Sequence, residues 1–132
     1  MKALTIIILF LLSSFTLLSQ ETINLESKQL LEDENVQVLK LSSNRHSSSF
    51  LIVVEDSVRK HYHATHTENL YVLEGSGKML LNDDLIDIQK GDFITLQPKT
   101  VHAVWVNGNV PLKALSIQAP EFKGSDRVFI DD

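Results

Sequence analysis

Two histidines one residue apart, followed by a glutamate, constrain this chain more than any other feature of its sequence. His61 and His63 flank Tyr62. In an extended strand alternate side chains share a face, so both imidazoles can point into one interior. Four residues separate His63 from Glu68, a length suited to a hairpin loop that returns the carboxylate opposite the imidazoles. We therefore predict that one hairpin brings three metal ligands together.

A fourth candidate ligand, His102, lies in a separate stretch of the chain. Gly91 and Asp92 indicate a turn, a strand follows, and Pro98 precedes a second strand that carries the histidine. The chain has no cysteine, which excludes disulfides and a thiolate site, so any metal is held by nitrogen and oxygen. The predicted ligands are His61, His63, Glu68 and His102.

The other histidines receive no metal role. His46 stands beside Arg45 in a serine-rich run and is expected to be solvated. His66 lies between two candidate ligands, and we expect it to stay off the metal, although as a loop residue it could replace His63. The alternative for the whole set is a barrel that has lost its metal and keeps these polar side chains in a hydrogen-bonded interior.

Short apolar or alternating segments, divided by turn residues every eight to twelve positions, predict an all-β sandwich or barrel. No stretch shows sustained helical periodicity. We expect the polar run 42–49 to be a loop and the apolar trio 128–130 to form an edge strand, which could lie across a partner subunit. The expected strands lie at 36–41, 50–54, 68–73, 78–81, 85–88, 93–96, 101–106 and 112–118.

Three aromatic residues, Tyr71, Phe93 and Trp105, are expected to pack in the core or on a sheet face rather than to bind a ligand. Alternation after His102 places Val104 and Val106 on the ligand side of their strand and Trp105 on the opposite side. The wall of the cavity is therefore expected to be apolar there.

The ligand spacing resembles the cupin family. The first cupin motif reads G-x5-H-x-H-x(3,4)-E-x6-G, and the chain matches it at His61, His63, Glu68 and Gly75, with Glu55 in place of the opening glycine. The second motif reads G-x5-P-x-G-x2-H-x3-N, and the stretch from Gly91 to His102 keeps its length. The turn residues of the motif differ: Pro98 falls one place late, Lys99 replaces the glycine, and after His102 Val106 stands at the position of the asparagine.

The resemblance implies a single-domain jelly-roll β-barrel whose interior holds the metal. It covers about residues 36–118 of a domain that we place at 21–132. Cupins include oxygenases, sugar isomerases and epimerases, cyclases, lyases and non-catalytic binders, so the fold does not select one function. Imidazole and carboxylate together accept divalent Mn, Fe, Ni, Cu or Zn, and an exported protein would favour a metal other than readily oxidised ferrous iron.

We therefore expect a metallocupin that binds one divalent ion and acts on a small oxygen-rich molecule, such as a sugar acid or keto acid, by isomerisation or enolisation. One alternative is a dioxygenase, which oxygen uptake would reveal. The other is a non-catalytic ligand-binding module, favoured if the metal ligands are the only well-formed polar groups of the interior. No catalytic residue beyond the ligands is assigned, and the chain has neither a Gly-x-Ser-x-Gly motif nor a cysteine nucleophile for covalent hydrolysis.

Residues 1–20 are typical of a signal peptide: Lys2 precedes an apolar stretch at 3–12, and a tail with serine and threonine follows. An uncleaved membrane anchor is the alternative, but a spanning helix needs about 20 apolar residues. The expected protein is therefore secreted or periplasmic, with no membrane attachment after cleavage.

Charge and size set the expected partners. The net charge is -5 and no basic cluster is present, so nucleic acid is excluded as a partner. A small domain without disulfides has little core to spare, and together with the cupin resemblance this leads us to expect a homodimer formed through sheet faces or an exchanged terminal strand. Metal affinity is expected to fall below the free imidazole pKa of about 6.5, because protons compete for the same nitrogens.

Overall fold

The structure is a computed structural model and describes residues 22–28 and 34–130. The described part contains ten β-strands and no helix, so the predicted all-β class is confirmed. No helix with the length and apolar character to cross a membrane occurs in it. The predicted signal peptide at 1–20 lies outside the described residues. The strands are β1 Val36–Asn44, β2 Ser47–Val54, β3 Ser57–His63, β4 Thr67–Glu74, β5 Ser76–Leu81, β6 Asp84–Gln89, β7 Phe93–Leu96, β8 His102–Val106, β9 Leu112–Ala119 and β10 Arg127–Phe129.

The strands form two five-stranded antiparallel sheets. The first sheet has the order β1-β2-β9-β4-β7 and the second has the order β10-β3-β8-β5-β6. After β2 the chain passes repeatedly from one sheet to the other, so strands that are neighbours in sequence mostly belong to different sheets. This is the arrangement of a jelly roll, in which each strand turns one face inward and the other outward.

The hydrophobic core fills the space between the two sheets. Strand β7 shows how the sequence produces it: Ile94 and Leu96 are buried, while Phe93 and Thr95 point outward. The same alternation on other strands turns aliphatic side chains toward the interior, where Met79 is completely buried. The main cluster consists of Val54, Val72, Met79, Ile88, Ile94, Leu96, Val104 and Leu112.

The expected hairpin between the histidines and the glutamate is wrong. Strand β3, which carries His61 and His63, pairs with β8 and β10 in the second sheet. Strand β4, which carries Glu68, pairs with β7 and β9 in the first sheet. The link 64–66 crosses between the sheets, so the carboxylate faces the imidazoles across the interior rather than along a shared ladder.

The polar run 42–49 is also not a loop. Strand β1 continues to Asn44 and β2 begins at Ser47, and serines of the two strands pair in the ladder at 42 with 49 and 43 with 48. The turn is closed by the side chain of Asn44, whose Oδ1 accepts hydrogen bonds from the backbone N–H groups of His46 at 2.8 Å and Ser47 at 3.3 Å. Backbone pairing and this short turn outweigh the polar composition of the run.

The terminal edge strand is confirmed as β10, and it pairs with β3 of the same chain. The aromatic residues Tyr71, Phe93 and Trp105 lie on outer sheet faces, with 41%, 64% and 45% of their surface exposed, and not in the core. Val104 is buried on the inner side of its strand, as the alternation after His102 predicts.

Candidate metal centre

Three histidines meet on the inner face of the second sheet. His61 on β3 and His102 on β8 are register partners, so their side chains emerge side by side, with ring centroids 4.1 Å apart. His63 follows two residues along β3 and therefore shares that face. All three are at least 96% buried, and one nitrogen of each lies within 4.8 Å of the others. This group could hold a metal ion.

Backbone carbonyls fix the orientation of two of these rings. The Nδ1 atom of His61 lies 2.7 Å from the carbonyl oxygen of Arg59, and the Nδ1 atom of His102 lies 2.9 Å from that of Thr100. A carbonyl oxygen can only accept, so each Nδ1 carries the proton and each Nε2 keeps a free lone pair. Histidines that bind metals are commonly oriented by such a bond.

Glu68 reaches the histidines from the opposite sheet. Its Oε2 lies 3.1 Å from Nε2 of His63 and 3.6 Å from Nε2 of His102. Its Oε1 accepts hydrogen bonds from the Ser116 hydroxyl at 2.5 Å and from Nε2 of Gln118 at 3.2 Å. One carboxylate oxygen is therefore held by β9, and the other is aimed at the imidazoles.

The protonation states of these groups are those that metal ligands need. Burial alone would raise the pKa of Glu68, but the hydrogen bonds from His63 and Ser116 outweigh it and lower the pKa to about 2. Burial, with a smaller contribution from His102, lowers the pKa of His61 to about 4. Burial also lowers the pKa of His102. At neutral pH the carboxylate is thus ionised and these two imidazoles are neutral.

The structure places His66 and His46 apart from this group. His66 is buried, with Nδ1 2.5 Å from Oδ2 of Asp126 and Nε2 donating to the carbonyl oxygen of Glu121 at 2.9 Å. Burial opposes its protonation, but Glu121 and Asp126 outweigh burial and raise its pKa. His46 is exposed in the turn between β1 and β2, where its Nε2 accepts a hydrogen bond from Arg45.

Sequence reasoning missed the two residues that hold Glu68. Ser116 and Gln118 are 0% and 1% exposed, on the inner face of β9. A signal for them exists in the sequence: the inward positions of β9 change from Leu112 and Ala114 to these two polar residues. Polar side chains on the apolar face of a strand indicate a buried network.

Asp126 was missed as well, in a tail segment that carries no recognisable pattern. Its carboxylate accepts hydrogen bonds from the backbone N–H and the hydroxyl of Thr65 at 2.9 and 2.6 Å, and from the N–H of His66 at 3.3 Å. Burial would raise its pKa, but the bonds from Thr65 outweigh burial and lower the pKa to about 2. Its Oδ2 also lies 3.5 Å from Nδ1 of His63, so it borders the histidine group.

A cavity of about 70 Å³ lies beside the histidines. Its wall is mostly aliphatic, with side chains from both sheets. The charged or titratable side chains along the described part of this wall are His61, Glu68, His102 and Arg127.

Comparison with known sequences identifies relatives. The family model described as a cupin domain matches residues 49–118. An uncharacterised protein of Methanocaldococcus jannaschii is 36% identical over 81 residues, which span 61% of this chain and 65% of that protein. Quercetin 2,3-dioxygenase of Bacillus subtilis is 29% identical over 83 residues, which span 59% of this chain but only 25% of the enzyme.

Comparison with solved structures gives the same fold at low sequence identity. An uncharacterised protein of Klebsiella pneumoniae with a double-stranded β-helix domain aligns with a TM-score of 0.74 at 14% identity, over 86% of this chain and 100% of that one. Pac13 of Streptomyces, described as a nucleoside dehydratase, aligns with a TM-score of 0.66 at 16% identity, over 85% and 92% of the two chains. At these identities the likeness establishes the fold alone.

Proposed function

The chain belongs to the cupin family, and on this premise we propose that it is a metal-dependent enzyme. It binds one divalent ion through His61, His63, Glu68 and His102, and it acts on a small oxygen-rich acid by enolisation or isomerisation. The observation that carries the proposal is the convergence of three buried imidazoles on one sheet, two of which face an ionised carboxylate from the other.

The donor set suits the proposed ion. Neutral imidazoles and a carboxylate accept Mn, Ni, Cu, Zn or Fe, and four donors leave one or two positions open on an ion that tolerates five or six ligands. Such an ion would supply positive charge that polarises a carbonyl oxygen. Glu68 acts in this proposal as a ligand and not as a base, because a carboxyl with a pKa of about 2 takes up protons weakly.

The remaining residues of the site position these groups and exclude water. Ser116 and Gln118 fix one oxygen of Glu68, so its second oxygen keeps its direction toward His63. The aliphatic wall of the cavity strengthens every electrostatic interaction inside it, because it replaces water with a medium of low dielectric constant.

The polar groups of the barrel interior favour an enzyme over a non-catalytic binder. A non-catalytic binder is favoured where the metal ligands are the only well-formed polar groups inside the barrel. Ser116 and Gln118 are buried there too, Gln118 Oε1 has no hydrogen-bond partner among the described residues, and Arg127 lines the cavity. Ser116 and Gln118 hold a ligand, and Arg127 is a charged group besides the ligands that can contact a substrate in the cavity.

A metal-dependent dioxygenase is the second candidate. It is supported by the similarity to the Bacillus subtilis quercetin 2,3-dioxygenase, which covers a quarter of that enzyme. Oxygen consumption with a ferrous or copper ion would separate it from the first candidate.

Metal analysis and proton exchange test the proposal together. Protein purified without a chelator or a nickel column should carry about one divalent ion per chain. Metal-loaded protein in D₂O should exchange the C3 protons of small 2-oxo acids, as followed by NMR, and the His63→Ala protein should not. Metal-loaded protein that exchanges no proton and consumes no oxygen would support the non-catalytic module instead.

We also propose export, on the basis of the leader pattern at 1–20. Mass spectrometry of protein recovered from the periplasm or medium should find a chain that begins near Gln20. An intact segment 1–20 in that material would contradict the proposal.

A homodimer remains our proposal for assembly. It is supported by Tyr71 and Phe93, register partners on the outer face of the first sheet that are both substantially exposed. Light scattering at micromolar concentration tests this, and a monomer would contradict it.

A further inference from the structure

Arg127 brings a positive charge to the cavity beside the histidines. It lies on β10, the edge strand of the second sheet, where it is the register partner of His63. Register partners in antiparallel strands share a face, so its side chain projects inward with that imidazole. The guanidinium side chain then forms part of the cavity wall together with His61, Glu68 and His102.

No carboxylate of the described residues forms an ion pair with this guanidinium. Its Nε is buried and has no hydrogen-bond partner among the described residues. Glu68 is engaged by Ser116, Gln118 and His63, and Asp126 is engaged by Thr65 and His66. A buried N–H donor without a partner, such as this Nε, is costly, and native proteins rarely keep one unless something binds there.

Arg127 lies where the cavity can be entered. Val36 and Val38 on β1, the edge of the first sheet, line the same cavity as Arg127 on β10, the edge of the second. The side chain of Val38 is 51% exposed, so the cavity reaches solvent between these two edges. A ligand that enters there meets the guanidinium and the histidines together.

The positive charge along the cavity wall favours an anionic ligand. With a divalent ion in place, the single charge of Glu68 leaves an excess of positive charge in an interior of low dielectric constant. An anionic ligand would neutralise that excess, and the planar fork of an arginine matches a carboxylate in a bidentate pair.

The aliphatic part of the cavity wall determines which chemical groups the rest of the ligand can carry. It is built from aliphatic residues, and the hydroxyl groups of a sugar would be buried against them without hydrogen-bond partners. A short aliphatic chain fits this surface, and the cavity of about 70 Å³ restricts its length.

We propose that Arg127 binds the carboxylate of the substrate, and that the substrate is a short-chain aliphatic 2-oxo or 2-hydroxy acid. This inference rests on the proposed function, since the 2-oxygen of the acid is placed at the proposed metal ion. Within the two classes of acid expected from the sequence, it selects the keto acid over the sugar acid.

Calorimetric titration with 2-oxobutyrate tests the role of Arg127. Metal-loaded wild-type protein should bind the acid. The Arg127→Gln protein should keep one metal ion per chain and lose affinity for the acid by about ten- to a hundredfold, the usual range for a buried hydrogen bond to a charged group. Arg45→Gln is the matched control, because Arg45 is exposed in the turn between β1 and β2, and it should match wild type. Arg127→Lys keeps the charge without the fork and should fall between them.

The outcomes distinguish this inference from the proposed function. Equal affinity of wild type and Arg127→Gln for 2-oxobutyrate, with full metal in both, would overturn the role of Arg127 and leave the metal site standing. Failure of metal-loaded wild type to bind the acid would also overturn it. Loss of metal from both Arg127 variants would show a structural role and overturn it too. Absence of metal from wild type under every loading condition would instead overturn the proposed function.

Discussion

The two walls of the candidate site are built in different ways. On the second sheet, His61 and His102 are each oriented by the carbonyl oxygen of the residue two positions earlier in the chain. On the first sheet, Glu68 is oriented by the side chains of Ser116 and Gln118, which belong to another strand. The histidine wall is thus held by local backbone and strand register, and the carboxylate wall by side-chain hydrogen bonds.

The difference predicts which wall tolerates change. A backbone carbonyl cannot be removed by a substitution, so the histidine wall is altered mainly by replacing a histidine itself. The carboxylate wall can be loosened without touching Glu68, because its neighbours Ser116 and Gln118 are replaceable. Such changes should weaken metal binding in graded steps.

Replacing a histidine should have the largest effect. In the His63→Ala protein we expect loss of most bound metal, and with it the stabilisation that bound metal gives, which depends on metal concentration relative to the dissociation constant. Elemental analysis and thermal unfolding with and without metal measure both. His46→Ala should change neither, since His46 is exposed.

The matched experiment for His63 is His66→Ala. Both nitrogens of His66 face the C-terminal segment, at Asp126 and Glu121, so this protein should keep its metal. Full occupancy in His63→Ala together with loss in His66→Ala would show that the ligand assignment is wrong.

As the pH falls, His61 should be protonated at a higher pH than Glu68, and stability should be lost in that order. Because the pKa of His61 is lowered to about 4 in the folded protein, the unfolded chain binds more protons between pH 6.5 and 4. Stability of the metal-free protein should therefore fall as the pH falls through this window. For Glu68, with a pKa lowered from 4.5 to about 2, the corresponding loss comes as the pH falls from 4.5 to 2.

Acidification should also release the metal, and His61 should be protonated before Glu68 in this process. Protons compete with the metal only where the folded imidazole takes them up, so release governed by His61 should be small near pH 6.5 and should become substantial only as the pH approaches 4. This differs from the expectation for free imidazole, whose pKa is about 6.5. Denaturant titrations and metal release across pH 7 to 3 measure both curves, and full release already at pH 6.5 would contradict the lowered pKa.

The sequence predicted the histidine wall better than the carboxylate wall, for a physical reason. The two-residue period of a strand puts His61 and His63 on one face wherever the strand lies. The same stretch cannot reveal whether the chain after His63 turns back in its own sheet or crosses to the other. A short link can join two strands of one sheet or of different sheets, and only the pairing of β4 with β9 shows that this link crosses between sheets.

Long-range pairing also explains the residues that sequence reasoning missed. Arg127 and Asp126 reach the site because β10 pairs with β3, far earlier in the chain. No local periodicity marks them as site residues, and the apolar trio that predicts an edge strand at 128–130 does not indicate which strand it pairs with. Ser116 and Gln118 differ, because their polar character on an apolar face was visible before the fold was known.

Loosening the carboxylate wall should have an intermediate effect. Ser116→Ala removes the hydroxyl that donates to Glu68 Oε1, and loss of such a supporting bond costs about 10- to 100-fold in metal affinity. Competition titration with a metal-sensitive dye measures this. Ser57→Ala is the control, because that hydroxyl bonds Asp56 at the start of β3. Equal affinities in the two variants would show that Glu68 is not held through Ser116.

The smallest effect on metal, with a clear effect on stability, is expected for Asp126→Asn. Asp126 does not face the cavity; its carboxylate fastens the crossover through Thr65 and His66 and borders His63 at 3.5 Å. An amide keeps the size and one acceptor but loses the charge that pairs with His66, so unfolding should become easier by about 1–3 kcal/mol. Metal affinity should fall only severalfold, since no cavity-facing group is removed.

Asp87→Asn, at an exposed pair with Lys78, should change stability by less than about 1 kcal/mol. If Asp126→Asn instead released metal as completely as His63→Ala, the C-terminal segment would belong to the histidine wall, and the division between a locally held wall and a side-chain-held wall would fail.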